Sequence, residues 1–199
     1  MNKKPITLFK LRAIILRDLP NLKRFFSSAN YEFYMPALEH VEVDNCGLFT
    51  TLFTCPVSKN LQQLQFLHVY NCRLLEGIVE DARGTETSDT DDKIINLSGL
   101  LEVVLADLPN LKSFGLSVSH VFSMPELLYF RLFRCPHVEN FTSLKTRGLV
   151  SVDSEWHRRK TVLHLNDFAR QYRQRCDSAE DQPLRAAFLL FPWSCPWAY

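Results

Sequence analysis

The chain has 199 residues, of which 46% are hydrophobic and 23% are charged, and its formal net charge at pH 7 is +1. This is an ordinary globular composition, and the charge gives no global attraction to nucleic acid or to a membrane surface. The longest apolar run, residues 186–191, is far too short to span a bilayer, and residues 1–10 lack the apolar segment of a signal peptide.

The first residues of the chain introduce a phrase that is later repeated. Asp18–Phe25 returns almost unchanged as Asp107–Phe114, 89 residues further on, and the similarity continues without a gap on both sides of the phrase. The chain is therefore built from copies of one unit, and this repetition decides the fold class.

Five shorter units make up the two halves. Their first and middle apolar residues are Leu11-x-x-Ile14-x-Leu16, Leu38-x-x-Val41-x-Val43, Leu64-x-x-Leu67-x-Val69, Leu100-x-x-Val103-x-Leu105 and Leu127-x-x-Phe130-x-Leu132. The spacing is that of leucine-rich repeats, and the period-two alternation predicts a short strand with one buried face in each unit. The predicted fold is an α/β solenoid arc with parallel strands on the concave side, an irregular convex side and a C-terminal helix.

Cysteines follow the predicted strand in three units. Cys46, Cys72 and Cys135 are expected to be small buried hydrophobic residues at the turn, where the other two units have Leu19 and Leu108 followed by proline. Those two turns should therefore differ in detail from the cysteine turns. No disulfide framework or zinc spacing is present among the six cysteines, which favours a reducing compartment and a cytoplasmic location.

The chain divides into three predicted segments. Residues 5–145 hold the five units, and a mobile acidic loop at 80–93 explains why Leu64 and Leu100 lie 36 residues apart, against 26 or 27 between the other units. Residues 146–176 contain a degenerate sixth strand near Val152 and a capping helix over 162–175, whose apolar stripe is Val162, Leu165, Phe168, Ala169 and Tyr172. Residues 177–199 form an irregular tail.

The sequence contains no catalytic constellation, so we expect neither an enzyme nor a cofactor. His40 and His68 lie on outward strand positions and are expected to be neighbours, with Glu42 or Asp44 beside them. A metal site is not predicted, because no third ligand has a matching spacing. A Cys–His nucleophile is also disfavoured, because the turn cysteines should be buried.

The variable strand positions are the candidate site. Stacked strands would place them on one concave wall, and the aromatic residues among them are expected to be exposed anchors for a protein partner. These candidate partner-binding residues are Ile15, Arg17, His40, Glu42, Asp44, Phe66, His68, Tyr70, Glu102, Val104, Tyr129, Arg131 and Phe133.

Two recurring phrases carry a resemblance to a known family. Leu-x-Asp-Leu-Pro-Asn-Leu-Lys-x-Phe, at Leu16–Phe25 and Leu105–Phe114, alternates with Met-Pro-x-Leu and a later cysteine, from Met35 and from Met124. Together they resemble the leucine-rich repeats of plant intracellular coiled-coil, nucleotide-binding disease resistance proteins, over roughly residues 5–145. The resemblance implies recognition of a pathogen effector, a host protein or the receptor's own nucleotide-binding domain, with no nucleic acid and no membrane insertion. The motifs of that nucleotide-binding domain are missing here, so ATP or ADP binding is not implied.

Two alternatives from other classes remain open. A leucine-rich-repeat substrate receptor of a ubiquitin ligase would need an F-box-like helical segment ahead of the repeats, and none fits in residues 1–10. A truncated, non-functional remnant is the other alternative, which the unmatched tail after Cys176 favours somewhat.

Overall fold

The computed structural model describes residues 4–23, 31–58, 60–80, 94–116, 121–139, 141, 144–154 and 160–179. The sequence predicts a mobile acidic loop at 80–93 and an irregular tail at 177–199. Residues 81–93 and 180–199 lie outside the described residues, whereas Glu80 is the last residue of a strand and residues 177–179 belong to the C-terminal helix.

The described residues form fifteen short strands and two helices, numbered in chain order. The strands are β1 (Lys4–Thr7), β2 (Ala13–Arg17), β3 (Tyr31–Tyr34), β4 (His40–Asp44), β5 (Thr51–Thr54), β6 (Phe66–Tyr70), β7 (Gly77–Glu80), β8 (Ile94–Asn96), β9 (Glu102–Ala106), β10 (Ser113–Gly115), β11 (Val121–Met124), β12 (Tyr129–Phe133), β13 (Leu144–Thr146), β14 (Val150–Asp153) and β15 (Lys160–Val162). The helices are α1 (Cys55–Ser58) and α2 (Leu165–Ala179).

The largest sheet has seven strands in the order β15-β14-β12-β9-β6-β4-β2. All neighbours from β2 to β14 are parallel, and β15 adds an antiparallel edge. The middle apolar residues of the predicted units, Val41, Leu67, Val103 and Phe130, are register partners on adjacent strands. The prediction that these residues align in one row is therefore confirmed.

The core lies behind this sheet. The row Val41, Leu67, Val103 and Phe130 is buried, and so is the second inward row two residues further along each strand, at Val43, Val69, Leu105 and Leu132. Successive side chains of a strand point to opposite faces, so the alternating pattern puts every repeated apolar residue on the same side. A single unit leaves this side open, and each unit is covered by its neighbours.

The other sides of the molecule are more regular than the sequence predicted. Three smaller parallel sheets, β1-β3, β8-β11-β13 and β5-β7-β10, lie before and after the main strands along the chain. The segments between the main strands therefore contain regular parallel strands, where the sequence indicated none. Nearly equal unit lengths bring equivalent segments to the same spacing as the main strands, which lets their backbone groups pair. In the third unit the short helix α1 occurs where other units have a strand ahead of the main one.

The C-terminal end of the core is covered by β14, β15 and α2. Strand β14 is the predicted sixth strand, and it pairs in parallel with β12. Helix α2 buries Leu165, Phe168, Ala169 and Tyr172, as its apolar stripe predicts. Val162 does not belong to this helix; it lies on β15 opposite Val150. The helical spacing of Val162 misled the prediction, because a β-branched residue also suits an edge strand.

Candidate functional site

The candidate site is the outward face, defined as the side of the seven-stranded sheet opposite the buried core. Strand register brings all the predicted partner-binding residues together there in three rows. The first row is His40, Phe66, Glu102 and Tyr129; the middle row is Ile15, Glu42, His68, Val104 and Arg131; the third row is Arg17, Asp44, Tyr70 and Phe133.

The exposure of these side chains differs from the prediction. Tyr129 is 45% exposed and Ile15 is 53% exposed, whereas Glu42 and Val104 are only 8% and 6% exposed. Phe66, Tyr70 and Phe133 are half-buried, so the expectation of four freely exposed aromatic residues holds only for Tyr129. The cause is crowding, since side chains on strands about 4.8 Å apart cover one another.

Charged side chains on the outward face form two neighbouring groups. Arg17 donates to Oε1 of Glu42 through Nε at 2.8 Å and through Nη2 at 2.6 Å. Glu102 lies 3.6 Å from Nη1 of Arg131 and 3.8 Å from Nε2 of His68. The face therefore presents paired charges rather than a field of one sign, which suits a surface that must match a particular partner.

His40 and His68 are neighbours, as the sequence predicted, with ring centroids 5.4 Å apart and an edge-to-face arrangement. Burial lowers the pKa of His68 to about 4; His40 and Arg131 push that pKa down as well, and Glu42 pushes it up. His68 is therefore neutral at pH 7. Within the part of the chain that the structure describes, Nε2 of both histidines is buried without a hydrogen-bond partner.

The turn that follows each of the five main strands contains a residue that sequence reasoning missed. Asp18, Asn45, Asn71, Asp107 and Arg134 all have positive φ, between 48° and 56°. Asp and Asn adopt this left-handed conformation more readily than most residues, so four of the five were a readable signal. The backbone N–H of each of the first four donates to the last carbonyl of the next strand, at 3.0–3.2 Å.

Side chains of these turn residues form a ladder along the carboxyl ends of the strands. Asn45 donates to Asp18 at 2.8 Å, Asn71 donates to Asp44 at 2.7 Å, and the Arg134 guanidinium donates to Asp107. The ladder borders an open cleft of about 610 Å³, whose lining residues are Asp18, Asp44, Asn45, Asn71, Arg73, Asp107, Pro109 and Arg134. Because these contacts join successive turns, we assign the ladder a structural role.

The turn cysteines are buried, as predicted. Sγ of Cys46, Cys72 and Cys135 donates to the carbonyl oxygen two residues earlier, at 3.1, 3.2 and 3.2 Å. The turns at Leu19 and Leu108 keep the same left-handed residue just before them, so they differ from the cysteine turns by lacking this thiol contact. Burial raises the pKa of the Cys72 thiol to about 11, which opposes a nucleophilic role.

Cys72 should resist alkylation in the folded chain. Its pKa of about 11, against an ordinary 9.0, lowers the thiolate fraction at pH 8 by about 100-fold, and burial restricts access further. We expect iodoacetamide to modify Cys72 at least ~100-fold more slowly in buffer than in denaturant, as measured by peptide mass spectrometry. Equal rates in the two conditions would mean that the Cys72 thiol is accessible to iodoacetamide in the folded chain.

Neither helix of the described residues combines the length and the apolar character needed to cross a bilayer. The register, the buried leucine rows and the outward variable rows define a repeat protein of the leucine-rich class. A family model described as plant disease resistance protein RPS2-like, leucine-rich repeats, matches residues 1–73. The resemblance to a leucine-rich-repeat region of plant disease resistance proteins is thereby confirmed over residues 1–73, a segment that contains β2, β4 and β6. Comparison with curated proteins gives no match, and comparison with solved structures gives none either.

Proposed function

We propose that the chain is a protein-recognition scaffold in plant defence. In this proposal the stacked units form a solenoid arc, the outward face is its concave wall, and the bound partner is a pathogen effector, a host protein or the regulatory domain of the same receptor. Residues 5–145 supply the repeats, and residues 146–176 cap the core. The role is non-catalytic and cytoplasmic, and it needs no cofactor, nucleic acid or membrane insertion.

The contrast between the two faces of the seven-stranded sheet carries this proposal. Inward positions keep the same apolar character from β4 to β12 and are buried throughout. The outward positions between them are in register with one another, yet their side chains change from Glu42 to His68, Val104 and Arg131. Inward apolar residues that repeat from unit to unit fix the geometry of the sheet, while the outward residues that change set the specificity of binding.

Strand β12 is the best candidate for the centre of recognition. Tyr129 is exposed, Arg131 is half-exposed, and Phe133 lies two residues further along the same strand. Tyrosine and arginine are over-represented among residues that dominate binding energy, since each offers a large contact area with a polar end. Arg131 is also held by Glu102, which orients its guanidinium before a partner arrives.

The test compares substitutions on the outward face with one elsewhere. The quadruple variant with alanine at Phe66, Tyr70, Tyr129 and Phe133 should abolish partner binding, and Tyr129→Ala alone should weaken it at least ~10-fold. Ile94→Ala is the matched control, because Ile94 is 53% exposed but lies on β8, outside the seven-stranded sheet. Proteins captured from plant leaf extract would be purified, and their Kd values measured by surface plasmon resonance.

Circular dichroism separates loss of binding from loss of folding. The half-buried rings of the quadruple variant contribute packing, so Tyr129→Ala is the decisive variant wherever the quadruple variant loses its native spectrum. A captured protein that binds wild type, Ile94→Ala and Tyr129→Ala with equal Kd would contradict a recognition centre on β12. Equal binding of the partner to wild type and to a folded quadruple variant would contradict the proposal that the outward face is the binding surface.

A further inference from the structure

We propose that His40, Glu42 and His68 form a Zn²⁺ site on the outward face, with one coordination position open to solvent or to a donor atom of a partner. One ligand atom from each of these residues lies within 4.8 Å of the other two. The sequence placed Glu42 or Asp44 beside the histidines but did not predict a metal site, because the spacing along the chain gives no third ligand; strand register supplies Glu42. Glu42 lies two residues after His40 on β4 and opposite His68 on β6.

The geometry is close to that of a zinc site. Nε2 of His40 lies 4.0 Å from Oε2 of Glu42. Zinc bonds to histidine nitrogen and carboxylate oxygen are about 2.0–2.2 Å long, which places ligand atoms of a tetrahedral site roughly 3.3 Å apart. The ligand atoms therefore need to approach one another by about 0.7–1.5 Å, which we expect side-chain rotation to supply.

The unpaired nitrogens favour a ligand over a purely structural cluster. Buried polar atoms almost always have a hydrogen-bond partner, and leaving one without a partner is costly. Nε2 of both histidines is buried and, within the described residues, has none. A Zn²⁺ ion would satisfy both nitrogens at once.

The surrounding charges orient the carboxylate. Arg17 holds Oε1 of Glu42, which leaves Oε2 as the oxygen nearer His40. A hydrogen bond of this kind fixes the orientation of a ligating carboxylate. Glu102 lies 3.8 Å from His68 and adds negative charge beside the site, while Arg17 and Arg131 oppose the cation.

The donor set selects the metal and leaves the coordination incomplete. Two imidazoles and one carboxylate suit zinc, and zinc with three protein ligands keeps a fourth position for water or another donor. Nε2 of both histidines is buried, but the His40 side chain is 32% exposed, so water or a partner group would reach that position past the His40 ring on the outward face. The Zn²⁺ site does not depend on the proposed partner binding, because the chain alone supplies the three ligands.

The experiment uses the full chain, freed of metal with a chelator and kept reduced, with Zn²⁺ as the probe. We expect isothermal titration calorimetry to give one equivalent bound with Kd below ~10 µM. His40→Ala and His68→Ala should each weaken binding at least ~100-fold, and Glu42→Gln at least ~10-fold. His137→Ala is the matched control, since His137 is exposed and lies outside the cluster; its Kd should equal that of wild type.

Two measurements on the wild-type chain keep the proposal testable where a variant fails to fold. Zn²⁺ should shift the imidazole NMR resonances of His40 and His68 and leave those of His137 unchanged. Co²⁺ in place of Zn²⁺ should give tetrahedral bands without a thiolate charge-transfer band. Absence of stoichiometric binding, a thiolate band, or unchanged affinity in folded His40→Ala and His68→Ala would each overturn the site.

Discussion

Replacing Phe130 by alanine is expected to lower the free energy of unfolding by about 3–5 kcal/mol, the usual cost of deleting a fully buried phenylalanine ring. Phe130 has no exposed surface. Its ring lies edge-to-face with Phe141 at 5.0 Å and with Phe168 of α2 at 6.4 Å. The substitution therefore opens a cavity where the last repeat meets the helix that covers the core.

The neighbouring residue is a matched control. Tyr129 precedes Phe130 on β12 but points to the outward face, so Tyr129→Ala should change the free energy of unfolding by less than ~1 kcal/mol. Urea unfolding followed by circular dichroism measures both variants, and the melting temperature of Phe130→Ala should fall by roughly 10 °C. Equal losses for the two variants would contradict the alternation of faces on which both the core and the outward face depend.

The main sheet was predictable because its signal repeats. The intervals between the units place Val41, Leu67, Val103 and Phe130 one strand apart, and five copies of a weak period-two pattern support one another. A single unit such as Leu38–Val43 would be ambiguous, because a short apolar run also fits a helix. Val162 illustrates this ambiguity, since it occurs once and was assigned to the wrong element.

The candidate site was predictable in membership but not in exposure. Period two decides which face Phe66 and Tyr70 occupy, and both lie on the predicted one. Their burial depends on the sizes of side chains on the same strand and on neighbouring strands. The Phe66 ring packs against His40 of β4 at 5.9 Å, and the Tyr70 ring packs against His68 of its own strand at 6.2 Å. Sequence spacing does not provide such distances.

The proposed metal site and the left-handed turns went unpredicted for different reasons. The sequence placed Glu42 or Asp44 beside the two histidines, but only the strand register shows that Glu42 is the residue opposite His68. The turns depend on backbone angles. Asp or Asn at Asp18, Asn45, Asn71 and Asp107 was a signal for positive φ, but Arg134 has the same angle without that signal. There the left-handed conformation follows from the repeated turn rather than from the residue.

Replacing Gly47 by alanine should destabilise the chain by about 2–4 kcal/mol, because strain and crowding add together. Gly47 has φ of +62°, a conformation that is costly for alanine. A Cβ at this position would lie 2.3 Å from the backbone oxygen of Leu22 and 2.7 Å from the Phe49 ring. The Leu22 oxygen cannot easily retreat, since it accepts the N–H of Leu48 at 2.8 Å.

Gly148 is the matched control for this substitution. A Cβ there meets no atom within 4 Å, so Gly148→Ala should stay within ~0.5 kcal/mol of wild type. Both variants would be compared by urea unfolding, and hydrogen exchange would locate the damage. Gly47 also donates its N–H to Leu19 at 3.0 Å, so Gly47→Ala should raise exchange at Leu22, Gly47 and Leu48, where the first two units meet. If Gly47→Ala were as stable as Gly148→Ala, the close approach of the Leu19–Leu22 turn to the Gly47–Leu48 turn would be wrong. The pairing of β2 with β4 would then need another explanation.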